Sequence, residues 1–153
     1  MRWVLLPYRR YFEFRGRSRR TEFWAFFLGC LIIVTVFRLI ENLAPPLPGL
    51  DLPGPLFALG SFIPGLAVTV RRLHDANRTG WWALLPFTAF LIALAAFPFG
   101  VELHDAIAFL IAVTGMLCPV ALLVLLAWKG TSAPNRFGED PRHRDADLET
   151  VFS

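Results

Sequence analysis

The sequence predicts an all-α membrane protein, with four transmembrane helices, a short interfacial N-terminal segment and a polar C-terminal tail. Three observations lead there. First, 56% of the 153 residues are hydrophobic and fifteen are Phe, more than a soluble domain carries, whose apolar share is roughly 45 to 50% even with Gly counted. The mean hydropathy is +0.53. Second, all but one of the fifteen Lys and Arg residues fall in three short polar stretches, 2–20, 71–78 and 129–144. Third, most of the segments between those stretches reach the roughly 20 apolar residues that a hydrocarbon core of about 30 Å requires. One membrane domain is expected over residues 1–141, followed by a disordered cytoplasmic tail over 142–153.

The start of the chain does not read as a cleavable signal. Trp3 to Leu6 is too short for the apolar part of one and is broken by Pro7, Arg9 and Arg10. Trp3, Tyr8, Tyr11, Phe12 and Phe14, interleaved with Arg, read as a stretch lying in the headgroup region, rings toward the acyl chains and guanidiniums on phosphate.

Four spans are expected, at about 23–43, 56–70, 81–97 and 106–128. The second is short. It holds Gly60, Pro64 and Gly65, and fifteen helical residues reach only about 22 Å at roughly 1.5 Å each. It is either a kinked crossing or a re-entrant hairpin, and charge decides between them. If the segment crosses, the fourteen cations of the loops and tails share one side; if it does not, seven face seven. Only the crossing obeys the rule that cations stay inside. Both termini and the hairpin 71–80 are therefore expected in the cytoplasm, with Trp24, Trp81, Trp82 and Trp128 at that interface.

The connection 41–55 has five of the twelve Pro and no Lys or Arg, which reads as a stiff extended link. Beyond Pro141, Arg142 to Glu149 alternates both signs of charge with almost no apolar residue, as disordered segments do. The net charge is +3. Because the cations flank apolar spans, anionic lipid is the expected polyanion and nucleic acid is not. Cys30 and Cys118 each lie inside an apolar segment, with neither disulfide nor metal-ligand spacing. Glu102, His104 and Asp105 cluster in a loop without a further ligand at suitable spacing, so no metal or other cofactor is expected.

Three stretches are more specific than topology demands. They are Phe14-Arg-Gly-Arg-Ser-Arg-Arg-Thr-Glu-Phe-Trp24, Arg71-Arg-Leu-His-Asp-Ala-Asn-Arg-Thr-Gly-Trp-Trp82 and Asn135-Arg-Phe-Gly-Glu-Asp-Pro141. Their order and their relation to the spans resemble domain of unknown function 805, a family of small bacterial inner-membrane proteins. The resemblance covers Trp3 to Pro141 and is most specific at Arg-Arg-Leu-His-Asp and Gly-Trp-Trp. It implies a four-helix inner-membrane domain and no particular activity. Two departures are visible: Asn77 and Ala133 stand where the family usually has Gly. Asn tolerates a left-handed backbone nearly as Gly does.

In the first motif Ser18 is placed to cap a helix and Glu22 to act as a first-turn acid, both favourable. Arg17 stands just before them, and Arg19 and Arg20 are unfavourable, because cations in a first turn oppose the helix dipole by about 0.3 to 1 kcal/mol each. Either the orientation rule or a bound anion holds them there. In the second motif Asp75 lies four residues after Arg71 and three before Arg78, which on a continued helix puts one carboxylate between two guanidiniums. His74 then faces elsewhere and makes no dyad with Asp75. Arg72 adds a further cation, and Asn135 and Arg136 of the third motif complete the set.

Two readings of the set stand. It is a structural latch, with Asp75 reaching Arg17 or Arg20, or it binds an anion such as a phospholipid headgroup. Arg38, the one cation inside a span, has Glu41 three residues on and is expected to snorkel as an ion pair. The functional expectation is a non-catalytic binding or organising component that engages anionic lipid or a partner protein, a second copy included, at its cytoplasmic face. The alternatives are a transporter subunit, for which only Ser61, Thr69, Thr88 and Thr114 are polar at depth, and a lipid-modifying enzyme, for which no nucleophile and base pair is found.

Overall fold

A computed structural model of the protein describes residues 2–43, 53–88, 91–92 and 105–141. Its elements are α1 (Arg2–Arg9), α2 (Arg20–Leu43), α3 (Pro53–Asp75), a 3-10 helix (Gly80–Phe87) and α4 (Asp105–Ala127). By length and composition α2, α3 and α4 can each cross a membrane.

The second span is not short. Helix α3 has 23 residues, about 34 Å at roughly 1.5 Å per residue. Pro53 and Pro55 belong to its first turn, where a missing amide costs nothing, and not to an extended link as the Pro content of 41–55 suggests. Glu41 likewise still belongs to α2. The span expected at 81–97 opens with the 3-10 helix; its remainder lies outside the described residues apart from 91–92, as does the tail 142–153.

Helix α3 is central, packing on α1, α2, the 3-10 helix and α4. The core joins Phe23 and Phe26 of α2, Val68 and Leu73 of α3, Ala83, and Leu122 and Leu126 of α4. These residues lie where α2 begins and where α3 and α4 stop, so the bundle is packed tightest at one end. Elsewhere the helices turn apolar side chains outward: Leu31, Ile32 and Val36 on α2, and Leu117, Val120 and Val124 on α4, are exposed. Such surfaces match acyl chains.

Helix α1 packs across α2 and α3, because Gly29 opens room for it: a Cβ there would lie 2.9 Å from Val4 Cγ1. The Tyr8 ring meets Phe26 at 5.4 Å, and its hydroxyl lies 2.6 Å from Ser61 Oγ. Burial raises the Tyr8 phenol above its ordinary pKa, so it stays a hydroxyl. Pro64 lacks the amide that would bond the Gly60 carbonyl, and the Tyr11 hydroxyl donates to that carbonyl at 2.9 Å. The chain therefore runs through Pro64 without a break in α3, and the docked segment supplies the missing donor.

Candidate functional site

The end of α3 sets the geometry of the charged cluster. The Arg78 amide bonds the Leu73 carbonyl at 2.9 Å and the Asn77 amide bonds the His74 carbonyl at 3.0 Å, the paired bonds of a Schellman closure. Asn77 occupies its left-handed position with φ 56°. The helix thus stops at Asp75, and Arg78 falls beyond it, its guanidinium 6.0 Å from the Trp82 ring. Asp75 is not held between Arg71 and Arg78. Its partners are Arg72, three residues back, and Arg17 from the first motif.

That carboxylate is the centre of the site. Arg17 Nε donates to Asp75 Oδ1 at 3.0 Å, and Arg72 Nη1 donates to Oδ2. Both guanidiniums then reach the chain after α4. Arg17 Nη1 donates to the carbonyls of Ala133 at 3.0 Å and Gly138 at 3.3 Å, and Nη2 to that of Thr131. Arg72 Nε donates to Leu126 O at 2.9 Å and Nη2 to Trp128 O. The last carbonyls of a helix have no intrahelical partner, so Arg72 closes α4 while Arg17 fixes the strip that follows. Gly130 is required by this approach, since a Cβ there would lie 1.9 Å from Asp75 Oδ2. Arg17, Arg72 and Asp75 are all buried. Isolated charges at such burial would be prohibitive, and here each carboxylate oxygen meets a guanidinium.

Around the start of α2 a second pair forms. Arg71, fully buried, donates from Nη2 to Glu22 Oε1 at 3.1 Å, and the Ser18 amide donates to the Arg71 carbonyl at 3.1 Å. Ser18 does not cap α2 through its side chain. The Phe23 amide bonds the Arg19 carbonyl at 3.2 Å, which makes Arg19 the capping position, and Ser18 Oγ has no partner. Arg19 donates from Nε and Nη2 to Pro141 O at 3.2 and 2.8 Å and lies 5.9 Å from the Trp3 ring. Arg20 is half-buried, with its Nε unpartnered.

The third motif lies over His74. Asn135 and Gly138 exchange backbone bonds of 3.0 Å, with Gly138 at φ 131°, and Asn135 Oδ1 accepts from the Phe137 amide at 2.9 Å. This tight turn lays the Phe137 ring on the His74 ring, 3.9 Å between centroids and 5° from parallel. Asn135 Nδ2 donates to His74 O at 3.0 Å, while His74 Nδ1 is 3.2 Å from Gly16 O. Arg136 reaches Asn77 O at 3.3 Å. All eleven residues singled out by the sequence lie at this end of the bundle, and three stretches separated by two spans meet there. Phe137, Thr131 and Gly130 complete it without having been singled out. Phe137 stood inside a quoted motif, whereas Thr131 and Gly130 carry no signal beyond following a span.

That three-way closure uses the stretches on which the family resemblance rests. The model of a protein family of unknown function, DUF805, matches residues 11–139. The chain belongs to that family. Among the proteins similar to it, inner membrane protein YhaI of Escherichia coli K12 is 35% identical over 144 residues, covering 93% of this chain and 97% of its own. Inner membrane protein YhaH of the same strain is 33% identical over 147 residues, with 93% and 98% covered. A third, the uncharacterized protein YiiR, is 31% identical over 139 residues. No solved structure matches the chain.

Two other features of this DUF805 chain carry less chemistry. Arg38 Nη1 donates to Glu41 Oε2 at 3.0 Å on the exposed flank of α2. An apolar groove of about 590 Å³ opens between α2, α3, the 3-10 helix and α4, with Cys30, Ser61 and Thr69 on its walls. Thr69 Oγ1 already donates to Gly65 O at 2.7 Å, and Ser61 is engaged by Tyr8.

Proposed function

We propose that the protein is an inner-membrane component with four crossings and both termini in the cytoplasm. In this reading it is non-catalytic and acts by binding anionic lipid at its cytoplasmic end. The observation that carries the reading is the cation excess in the closed cap. Arg17, Arg19, Arg20, Arg71 and Arg72 gather there against the buried acids Glu22, Asp75 and Asp140. A cationic cap at the end of an apolar bundle lies at the level of phospholipid headgroups.

The fourth crossing has geometric support. Arg72 bonds carbonyls at the end of α4, so α4 stops at the cap, and Asp105, at the start of this 23-residue helix, lies about 33 Å away at roughly 1.5 Å per residue. The chain leaves the cap at Gly80 and must cover that distance before Asp105. The inner-membrane relatives support the location, and the distribution of Lys and Arg supports the orientation.

Native mass spectrometry of protein extracted in mild detergent tests the reading. Anionic phospholipid should survive extraction in near-stoichiometric amount, in preference to zwitterionic lipid. Protein that retains no lipid, or retains it without regard to charge, would count against it.

A further inference from the structure

Four side-chain atoms at the cap are buried without a hydrogen-bonding partner: Ser18 Oγ, Arg20 Nε, and both Nε and Nη1 of Arg71. Among the described residues only Glu41 Oε1, at the far end of α2, shares that condition. Ser18 and Arg71 are each 0% exposed. Arg71 adjoins the start of α2, holding the Ser18 amide on its carbonyl and Glu22 on its guanidinium, and Arg20 is the first residue of that helix. Buried donors are nearly always matched by acceptors in folded proteins. Four unmatched atoms on residues at and just before the start of α2 and on the arginine packed against it therefore point to an occupant with several acceptors.

We propose that Ser18, Arg20 and Arg71 form a site for a phosphate group, carried by an inner-leaflet phospholipid or free in the cytoplasm. The proposal rests on the anionic-lipid reading above and assigns it to particular residues. The chemistry fits phosphate for three reasons. A tetrahedral oxyanion offers acceptors to two guanidiniums and a hydroxyl together, each bond charge-assisted. Second, Glu22 is already engaged with Arg71 and Asp75 with Arg17 and Arg72, and among the described residues these carboxylates leave Arg20 without an ion pair. Third, α2 is 24 residues long and begins at Arg20, which adds the positive end of its dipole. Cations in that first turn oppose the dipole while the site is empty, and a bound anion turns the same arrangement favourable.

The test uses the full chain, delipidated in an uncharged detergent, and the variant Ser18→Ala with Arg20→Gln. Among the described residues neither substitution removes a side-chain bond, and Arg20→Gln takes a cation out of the first turn, so the variant should melt no lower than the parent without ligand. Thermal midpoints are then read against inorganic phosphate, short-chain phosphatidylglycerol and a phosphate-free glycolipid of the same chain length. The parent midpoint should rise with phosphatidylglycerol, with inorganic phosphate or with both, and the variant should need about tenfold more ligand for half the effect, as loss of charge-assisted bonds implies. A response to both phosphate probes means that the group alone suffices, and a response to the lipid alone assigns the headgroup. Equal stabilisation by the glycolipid would overturn the proposal, since acyl chains would then explain it. Identical responses of parent and variant would overturn the assignment to these residues and leave the anionic-lipid reading in place. No response of the parent to any probe would remove both.

Discussion

Asp75 shows how few residues hold the cap together. Each of its carboxylate oxygens accepts from a different guanidinium, Arg17 from before α2 and Arg72 from α3, and those two side chains also bond the carbonyls that end α4 and follow it. Replacing one partner of a buried ionic cluster leaves the others uncompensated, at a typical cost of about 3 kcal/mol or more. Asp75→Asn should therefore lower the thermal midpoint in detergent by several degrees, and it should do so at saturating anionic lipid as well as without it. A midpoint equal to the parent's would show that the carboxylate does not bind the three stretches together. Spacing within one helix suggested Arg71 and Arg78 as its neighbours. Spacing failed because the helix ends at Asp75, before Arg78, because Arg71 turns to Glu22, and because a carboxylate that is 4% exposed takes partners from whichever element covers it.

At the scale of elements, the docking of the N-terminal segment on α3 rests on a vacant backbone position. Gly60 lies eleven residues before Arg71, about 16 Å along the helix at roughly 1.5 Å per residue, a depth where water is scarce and a carbonyl without a donor is costly. Pro64 creates that carbonyl and the Tyr11 hydroxyl satisfies it. Tyr11→Phe should destabilise the protein by about 1 kcal/mol, the usual net value of one hydrogen bond. In a Pro64→Ala background, where the helix can supply its own amide, the same change should cost almost nothing. A double-mutant cycle with no coupling between the two positions would remove the explanation. Nothing in the sequence pairs Tyr11 with Pro64, because the two are 53 positions apart and each has an ordinary local role, one as an interfacial aromatic and the other as a kink.

For the whole molecule the governing quantity is which side of the membrane the cap faces. The described ends of the chain, α1 and the strip that reaches Pro141, meet at the cap, and the cap carries nearly all the charged motifs. Reporter domains that work only in the cytoplasm should be active when fused after Asp75 or after Arg142 and inactive when fused after Pro48 or after Glu102. Activity after Pro48 would invert the orientation and place the phosphate site on the outer surface. Activity after both Glu102 and Arg142 would leave two crossings instead of four.

Hydropathy and charge order along the chain were enough to determine a helical membrane protein, the bounds of the helices α2 and α4 within a few residues, and the motifs that matter, because bilayer thickness and the preference of cations for one side act on composition alone. The length of α3 was misjudged from sequence, since Arg71, Arg72 and Asp75 read as loop when their neutralising partners are not visible. What only the tertiary structure decided is who pairs with whom: Arg17 and Arg72 with Asp75, Arg71 with Glu22, Phe137 on His74, and Ser18, Arg20 and Arg71 with unmatched donors. Those pairings join segments separated by whole spans, and a buried charge is set by what surrounds it in space, which the order of residues along the chain does not contain.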